Sequence, residues 1–296
     1  MREGLFVAIL SGLGGMLGWG LADFFAKKTI DKIGDITTLF WSQFFGIFPL
    51  LLLFFVYPSF PQLDSFGWVY LVLLGVGEGL SYIPTYIAFS KGKVSLLSPV
   101  FASYAVIVAV LSAVFLGEVI PFGRQVSFLI VFIGVLLING DPRDIWSVII
   151  RKKREEGSIK GLPEILIAVG LYSLWIIALD QFISGINWIP ILLLIRIIAT
   201  LSLFLFAKIA NKKIIFNNRS IWKYIFFIAI FDVTALSFVS YGFSSTPYVS
   251  IVTMLSGAFS LPTIILGRVF LKESATTIQI IGSFTVVAGV MLLSLI

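Results

Sequence analysis

Ten apolar stretches, each about long enough to cross a lipid bilayer, fill nearly the whole of this 296-residue chain. A transmembrane helix needs about 20 consecutive, mostly apolar residues. Hydrophobic residues make up 59% of the chain and charged residues only 12%, which excludes a soluble globular fold. We therefore predict an all-α integral membrane protein with ten transmembrane helices. The predicted helices cover roughly residues 5–26, 36–57, 67–90, 95–115, 122–139, 162–184, 188–210, 220–244, 248–271 and 276–296.

Two residue types that the chain lacks limit its chemistry. There is no cysteine and no histidine, which removes disulfides, thiolate nucleophiles, histidine-activated serines and His/Cys metal sites. The residue types would still permit an intramembrane aspartyl protease, but neither Asp23 nor Asp232 lies in a Tyr-Asp or Gly-x-Gly-Asp sequence. The sequence also has no glycine-rich Lys-Ser/Thr loop to hold a nucleotide phosphate. We therefore expect no enzyme activity and no cofactor.

The basic residues indicate how the chain is oriented. If ten helices alternate across the bilayer, 18 of the 21 Lys and Arg residues fall on one side. Because Lys and Arg collect in cytoplasmic loops, we predict a plasma-membrane protein with both termini external. This distribution also explains the net charge of +6 without a nucleic-acid partner. The stretch 141–161 is predicted to be a basic linker loop, and its tract 151–154 is expected to contact anionic lipid headgroups.

The chain matches itself at a shift of 154 to 156 residues. We predict two repeats, residues 1–140 and 162–296, joined by the basic linker. Because each repeat has five helices, an odd number, the halves enter the membrane from opposite sides, and the repeat is inverted. The matching segments are Phe115-Leu116-Gly117-Glu118 with Phe270-Leu271-Lys272-Glu273, Val94-Ser95 with Val249-Ser250, Phe89-Ser90 with Phe243-Ser244, Gly134-Val135 with Gly289-Val290, and Trp19 with Trp175.

Several of these segments resemble a known family. They are Ala88-Phe89-Ser90 to Ser98-Pro99-Val100, Phe115-Leu116-Gly117-Glu118, Gly134-Val135-Leu136-Leu137 and Trp19-Gly20-Leu21-Ala22-Asp23-Phe24. Together they are similar to the EamA type of the drug/metabolite transporter superfamily. The resemblance implies a ten-helix secondary carrier for small organic solutes, with a central cavity lined mainly by helices 1, 3, 4, 6, 8 and 9. It also implies cytoplasmic termini, against which we weigh the loop charges more heavily.

Two acids lie at equivalent, deep positions of the repeat. Glu78 lies about 17 Å from either end of its predicted helix, and Asp232 follows it at a shift of 154 residues. Charged groups at this depth face the bundle interior or a wet cavity. We predict that both acids bind substrate or couple its transport; the alternative is that they hold helices together. Gly75 and Gly79 flank Glu78 and permit close approach of a neighbouring helix.

Three other charged residues lie within predicted helices. Asp180 and Arg196 are near the same end of a predicted hairpin of helices six and seven, so we favour a structural ion pair over contact with a ligand. In the first half, Gln43 stands where Arg196 stands in the second. Asp23 lies four residues before Lys27 and is either an interfacial acid near that lysine or a gating residue.

Aromatic side chains could stack on a substrate or form hydrogen bonds with it. Most of them are expected to pack between helices or to face lipid. Tyr82 is favoured as a ligand because it lies one helical turn from Glu78, on the same helix face. The aromatic candidates are Trp19, Tyr82, Tyr86, Trp175 and Tyr241.

These features favour a secondary active transporter of small organic metabolites or drugs that works by alternating access. In one mechanism, a proton and a cationic substrate compete for Glu78. The alternative is an uncoupled facilitator or exchanger of neutral or zwitterionic solutes such as amino acids, whose ammonium and carboxylate groups would meet Asp232 and Arg196. A membrane assembly partner without transport is a further alternative. A channel is disfavoured, since the sequence shows neither a ring of like charges nor a filter loop.

Overall fold

The computed structural model describes residues 2–116, 122–139, 160–183, 186–214, 221–246, 252 and 255–295. In these ranges the regular secondary structure is helical. The predicted basic linker lies almost entirely outside the described residues. The helices are α1 (Arg2–Ile33), α2 (Asp35–Val56), α3 (Ser65–Lys91), α4 (Val94–Ala102), α5 (Tyr104–Leu116), α6 (Phe122–Asn139), α7 (Leu162–Ile183), α8 (Trp188–Ile209), α9 (Trp222–Ser245), α10 (Ser260–Phe270) and α11 (Thr277–Leu295).

Of the described helices, six are long and apolar enough to cross a membrane, namely α1, α2, α3, α7, α8 and α9. Shorter apolar helices occupy Val94–Val108, Gln125–Gly134, Leu255–Phe270 and Thr277–Leu292. The chain is therefore a multi-pass membrane protein. Helix α1 is longer than predicted and continues to Ile33. There the backbone of Gly34 takes a positive φ of 86° and allows a tight turn into α2.

The surface of the bundle is apolar and its interior is partly polar. On α2, for example, Phe48, Leu52 and Phe55 are exposed, whereas Gln43 is buried. Lipid can cover apolar side chains, but it offers no hydrogen bonds, so polar groups are placed where protein can satisfy them. The interior of the bundle is therefore where polar side chains could contact a solute.

The helix predicted at 95–115 is interrupted at Ser103. Around this residue the backbone hydrogen bonds shorten to i→i−3: Ser103 N donates to Val100 O (3.1 Å) and Val106 N to Ser103 O (3.0 Å). The hydroxyl of Ser103 also donates to Val100 O at 2.6 Å, competing with regular helical hydrogen bonds.

The helix predicted at 248–271 is interrupted at an equivalent place. Within its described part, Leu255–Gly257 is helical, a turn follows at Ala258 and Phe259, and α10 begins at Ser260. Phe259 N donates to Ser256 O at 3.0 Å, again an i→i−3 bond. The two breaks lie 155 residues apart, the shift at which the sequence matches itself.

The main helix contacts join residues before position 140 to residues after position 160. Helix α1 packs along α9, α3 along α7, and α6 along α11. Helix α2 contacts α8 and α9, α3 also contacts α8, and α4 packs on α10. In the repeat, the pair α1 and α9 corresponds to the pair α7 and α3. The two halves are therefore interleaved.

At one end of the bundle, polar contacts tie the halves together. Both carboxylate oxygens of Glu273 accept hydrogen bonds at the start of α4, from Val94 N at 3.0 Å and Ser95 N at 2.9 Å. This cap is stabilising because the N-terminus of a helix carries partial positive charge. Nearby, Lys91 Nζ lies 2.6 Å from Glu164 Oε1, and Lys93 Nζ donates to Ser274. The short connection from α3 to α4 thus binds two segments of the second half at this end.

Candidate functional site

A small cavity lies inside the bundle, where α1, α3 and α9 meet the two helix breaks. Its volume of about 30 Å³ has room for about two water molecules. The six predicted helices that the resemblance implied correspond to α1, α3, α4 with α5, α7, α9 and the segment that leads into α10, and all of them contribute to the lining. Helix α2 lines the cavity as well, so both halves contribute. The lining residues are Trp19, Ala22, Asp23, Ser42, Gln43, Tyr82, Thr85, Tyr86, Phe101, Tyr104, Tyr172, Ile228, Asp232 and Phe259.

Beside this cavity, Arg196 of α8 forms a buried charged cluster. Its Nη1 lies 2.8 Å from Asp232 Oδ2, and its Nη2 lies 3.3 Å from Glu78 Oε1. Nη1 also donates to Gln43 Oε1. Arg196 and Glu78 are each 1% exposed, whereas the side chain of Asp232 is 14% exposed and lines the cavity. One guanidinium therefore links α2, α3, α8 and α9.

Glycines on α3 place Glu78 against α8. A Cβ atom at Gly79 would lie 2.6 Å from Ser202 Oγ, and one at Gly75 would lie 3.1 Å from Ile195 O. This confirms the predicted close approach and identifies α8 as the neighbour. Neither oxygen of Glu78 accepts a hydrogen bond from any residue that the structure describes. Its described charged partner is Arg196, and Glu78 does not belong to the cavity lining.

The cluster is built from two pairs of equivalent positions. Glu78 and Asp232 are 154 residues apart, and Gln43 and Arg196 are 153 apart. Both acids contact the same guanidinium, which also binds Gln43. All four positions therefore converge on one point between the halves.

The predicted ion pair between Asp180 and Arg196 is wrong. Arg196 is paired with Glu78 and Asp232, and Asp180 Oδ2 accepts a hydrogen bond from Gln181 Nε2 at 3.4 Å. The prediction assumed that α7 and α8 pack as a hairpin. Instead, α3 packs against both of them, whereas α7 and α8 have little mutual contact. The predicted depths of Asp180 and Arg196 along their helices are similar, but α3 lies between α7 and α8.

Asp23 is part of the cavity. Its Oδ2 accepts a hydrogen bond from Ser98 Oγ of α4 at 2.8 Å. Lys27, the neighbour of Asp23 expected from the sequence, has other partners: its Nζ donates to Asp31 Oδ1 and to Phe89 O, each at 2.8 Å. Asp23 and Asp232 thus bring two carboxylates to the same cavity, and Arg196 contacts the second of them.

Aromatic side chains form most of the remaining wall. Tyr82 OH donates to Asp232 Oδ1 at 3.4 Å, which links the predicted tyrosine to an acid, although not to Glu78. The Tyr82 ring lies edge-on to Tyr172, with 5.9 Å between centroids. Tyr86 shares a 3.4 Å hydrogen bond with Ser42. Rings, hydroxyls and carboxylates therefore face one small space.

Two of the aromatic candidates lie outside the cavity lining. Trp175 is buried, and its Nε1 donates to Leu74 O of α3 at 2.9 Å, so it joins α7 to α3. Tyr241 is 47% exposed on α9. The sequence placed these residues in the same class as Trp19 and Tyr82 because depth along a helix does not tell which of its faces borders the cavity.

Sequence reasoning did not single out several residues of the site. Tyr172 lies one helical turn before Trp175, a spacing that places both on one helix face. Tyr104 and Phe259 follow the two helix breaks and are themselves 155 residues apart, so the repeat carried a signal for them. Ser98, the partner of Asp23, had no such signal, because its role depends on packing between α1 and α4.

Comparisons with known proteins agree with this architecture. The “Putative ribose uptake protein RbsU” of Staphylococcus aureus (strain COL) is 24% identical over 300 residues, which cover 97% of this chain and 96% of that protein. An uncharacterized protein of Methanocaldococcus jannaschii, MJ1333.1, is 25% identical over 132 residues, 45% of this chain and 96% of its own length. A solved crystal structure shares the fold, with a TM-score of 0.67 and 13% identity over 96% of this chain and 95% of the other.

The family comparison covers both halves. The model of the EamA-like transporter family matches residues 6–140 and residues 159–295. These two ranges include the cavity, the charged cluster and both helix breaks, and they leave out little more than the segment between the halves. The chain therefore belongs to the EamA-like transporter family.

Proposed function

We propose that this membrane transporter carries a neutral, polyhydroxylated solute of monosaccharide size, such as ribose, by alternating access in the plasma membrane. The observation that supports this most is the cavity lining, in which two carboxylates and several hydroxyls are set among aromatic rings. Sugar hydroxyls donate to carboxylates and accept from hydroxyl and N–H groups. The ribose uptake named for the staphylococcal relative points to the same substrate class.

The charged cluster makes other substrates less suitable. A zwitterionic amino acid would need a cation for its carboxylate, and Arg196 is buried, held by Glu78, Asp232 and Gln43, and absent from the cavity lining. Withdrawing it would leave buried acids without a cation, which is costly. The ammonium group of a cationic drug could bind the acids, but it has no lone pair and could not accept the hydrogen bonds that the hydroxyl groups of the lining offer.

Alternating access is supported by the arrangement of the two halves. Equivalent positions of an inverted repeat converge at the central site of such carriers, often beside interrupted helices. Here two equivalent pairs meet at Arg196, and both helix breaks border the cavity. A cavity of about 30 Å³ is smaller than a pentose. The halves must therefore move apart on one side before the solute enters.

Coupling to protons is the second part of the proposal. The sequence pointed to Glu78, but the geometry favours Asp23. Among the described residues of this region, the Arg196 guanidinium pairs with Glu78 and Asp232, whereas the hydrogen-bond partner of Asp23 is a neutral serine. Asp23 is partly buried, and a charge withdrawn from water without a counter-ion is disfavoured, so Asp23 is suited to bind a proton. The titratable groups around it in the cavity are Asp232, Tyr82, Tyr86, Tyr104 and Tyr172.

The substrate class can be tested by counterflow. In proteoliposomes loaded with unlabelled ribose, we expect labelled ribose to enter transiently above equilibrium, and we expect no such uptake after loading with alanine or with a cationic dye. Liposomes without protein are the control. Counterflow with an amino acid or a cationic drug, but with no pentose or hexose, would show that the proposed substrate class is wrong.

Orientation is a separate prediction, based on the loop charges. Because the chain has no cysteine, Ser65→Cys and Ser158→Cys can each introduce a single thiol. Ser65 is exposed at the start of α3, and Ser158 lies in the basic linker. With an impermeant maleimide we expect labelling of the first variant in intact cells and of the second only after permeabilisation. The reverse pattern would place both termini in the cytoplasm.

A further inference from the structure

Two tryptophans at equivalent positions of the repeat differ in what their indole N–H groups bind. Trp19 of α1 and Trp175 of α7 are 156 residues apart. The Nε1 atom of Trp175 donates to Leu74 O at 2.9 Å. The Nε1 atom of Trp19 is buried and has no hydrogen-bond partner among the described residues.

The repeat indicates which residue of the second half corresponds to Leu74, the acceptor of the Trp175 hydrogen bond. The residue equivalent to Leu74, at the shift of 154 that relates Glu78 to Asp232, is Ile228 of α9. Trp19 and Ile228 both line the cavity. Where one half joins α7 to α3 through the hydrogen bond of Trp175, the other half has Trp19 and Ile228 in the wall of the cavity.

An N–H group in this position is suited to a ligand. A buried donor without an acceptor carries an uncompensated desolvation penalty, which an acceptor that enters the cavity would relieve. The ring of Trp19 is only 8% exposed and is held edge-on against Phe259, with 6.1 Å between centroids. The donor is therefore fixed in place before any solute arrives, which limits the entropy cost of binding.

We propose that Trp19 determines substrate specificity by donating a hydrogen bond from Nε1 to a hydroxyl oxygen of the bound solute. This inference rests on the proposed function and sharpens it. A hydroxyl group can accept from the indole while donating to Asp23 or Asp232, both of which line the same cavity. An ammonium group has no lone pair and can only donate. Trp19 therefore selects polyhydroxylated solutes over amines.

The matched variants Trp19→Phe and Trp175→Phe test the proposal, because each removes the same volume and one indole N–H. For Trp19→Phe we expect the Kd for ribose to rise about 5- to 150-fold, the range for losing such a hydrogen bond in a buried site. For Trp175→Phe we expect the Kd to stay within about twofold, while the melting temperature of the ligand-free protein falls further than in Trp19→Phe, since Leu74 O loses its donor.

A panel of deoxyribose isomers provides a readout that a packing role would not change. The wild-type protein should discriminate against the isomer that lacks the accepting hydroxyl, and Trp19→Phe should bind that isomer and ribose about equally. If Trp19→Phe binds ribose as tightly as the wild type, or is destabilised as much as Trp175→Phe, the inference is wrong. A wild-type protein that binds ribose but shows no such discrimination also overturns it. If the wild type binds no monosaccharide, the proposed function fails, and this inference with it.

Discussion

Replacing Arg196 with methionine is expected to lower the free energy of unfolding by about 3–5 kcal/mol, the cost of breaking a buried ion pair from one side. Glu78 and Asp232 would both lose their cation, and Gln43 would lose a donor. Adding Glu78→Gln to this variant should recover part of the loss, because it removes one of the unpaired charges. Equilibrium unfolding of the purified protein in detergent measures both changes.

The same experiment distinguishes the observed pairing from the one expected on sequence grounds. Residues in contact give non-additive changes, whereas separate sites add to within about 0.3–0.5 kcal/mol. We therefore expect non-additivity between Glu78→Gln and Arg196→Met, and additivity between Asp180→Asn and Arg196→Met. Additive losses in the first cycle would contradict the ion pair of Arg196 with Glu78.

The Asp23→Asn variant is expected to lose ribose accumulation driven by an inward proton gradient while keeping ribose counterflow. Asparagine has nearly the same size and can still accept the hydrogen bond from Ser98, but its amide cannot take up or release a proton at neutral pH. Uptake into proteoliposomes with and without a pH gradient separates the two activities. The effect falls on the driving force rather than on the binding of solute.

Asp31→Asn is the matched control for this variant. Asp31 lies on the same helix, but its side chain is 50% exposed and is paired with Lys27, so its loss should leave gradient-driven uptake unchanged. Full gradient-driven accumulation by Asp23→Asn would remove Asp23 as the coupling residue. If folded Glu78→Gln protein loses gradient-driven accumulation and Asp23→Asn protein does not, Glu78 is the coupling residue.

The sequence predicted the features of this protein that follow from solvation. Apolar length located α1, α2, α3, α7, α8 and α9, since lipid permits few alternatives to a helix. The cost of burying charge identified Glu78 and Asp232 as interior residues, and the repeat predicted that they occupy equivalent positions. In the structure both acids contact Arg196.

Packing set the limit of prediction. Whether Arg196 would meet Asp180 or Glu78 depended on which helix lies next to α8, and neither depth nor hydropathy contains that information. Gln43 entered the cluster because α2 packs on α8, and Ser98 became the partner of Asp23 because α4 packs on α1. The helix breaks depend on local hydrogen bonds that an apolar window averages out.

The carboxylate of Glu273 has a consequence for how the chain assembles. It caps the first turn of α4 in the other half, so the first half produced alone would leave Val94 and Ser95 without this acceptor. A polypeptide comprising a single half would have to obtain the carboxylate from a second molecule, and formation of the cap would then depend on protein concentration. Covalent joining makes that encounter intramolecular, with an effective concentration fixed by the tether. Dilution then no longer separates the cap from the helix that it completes.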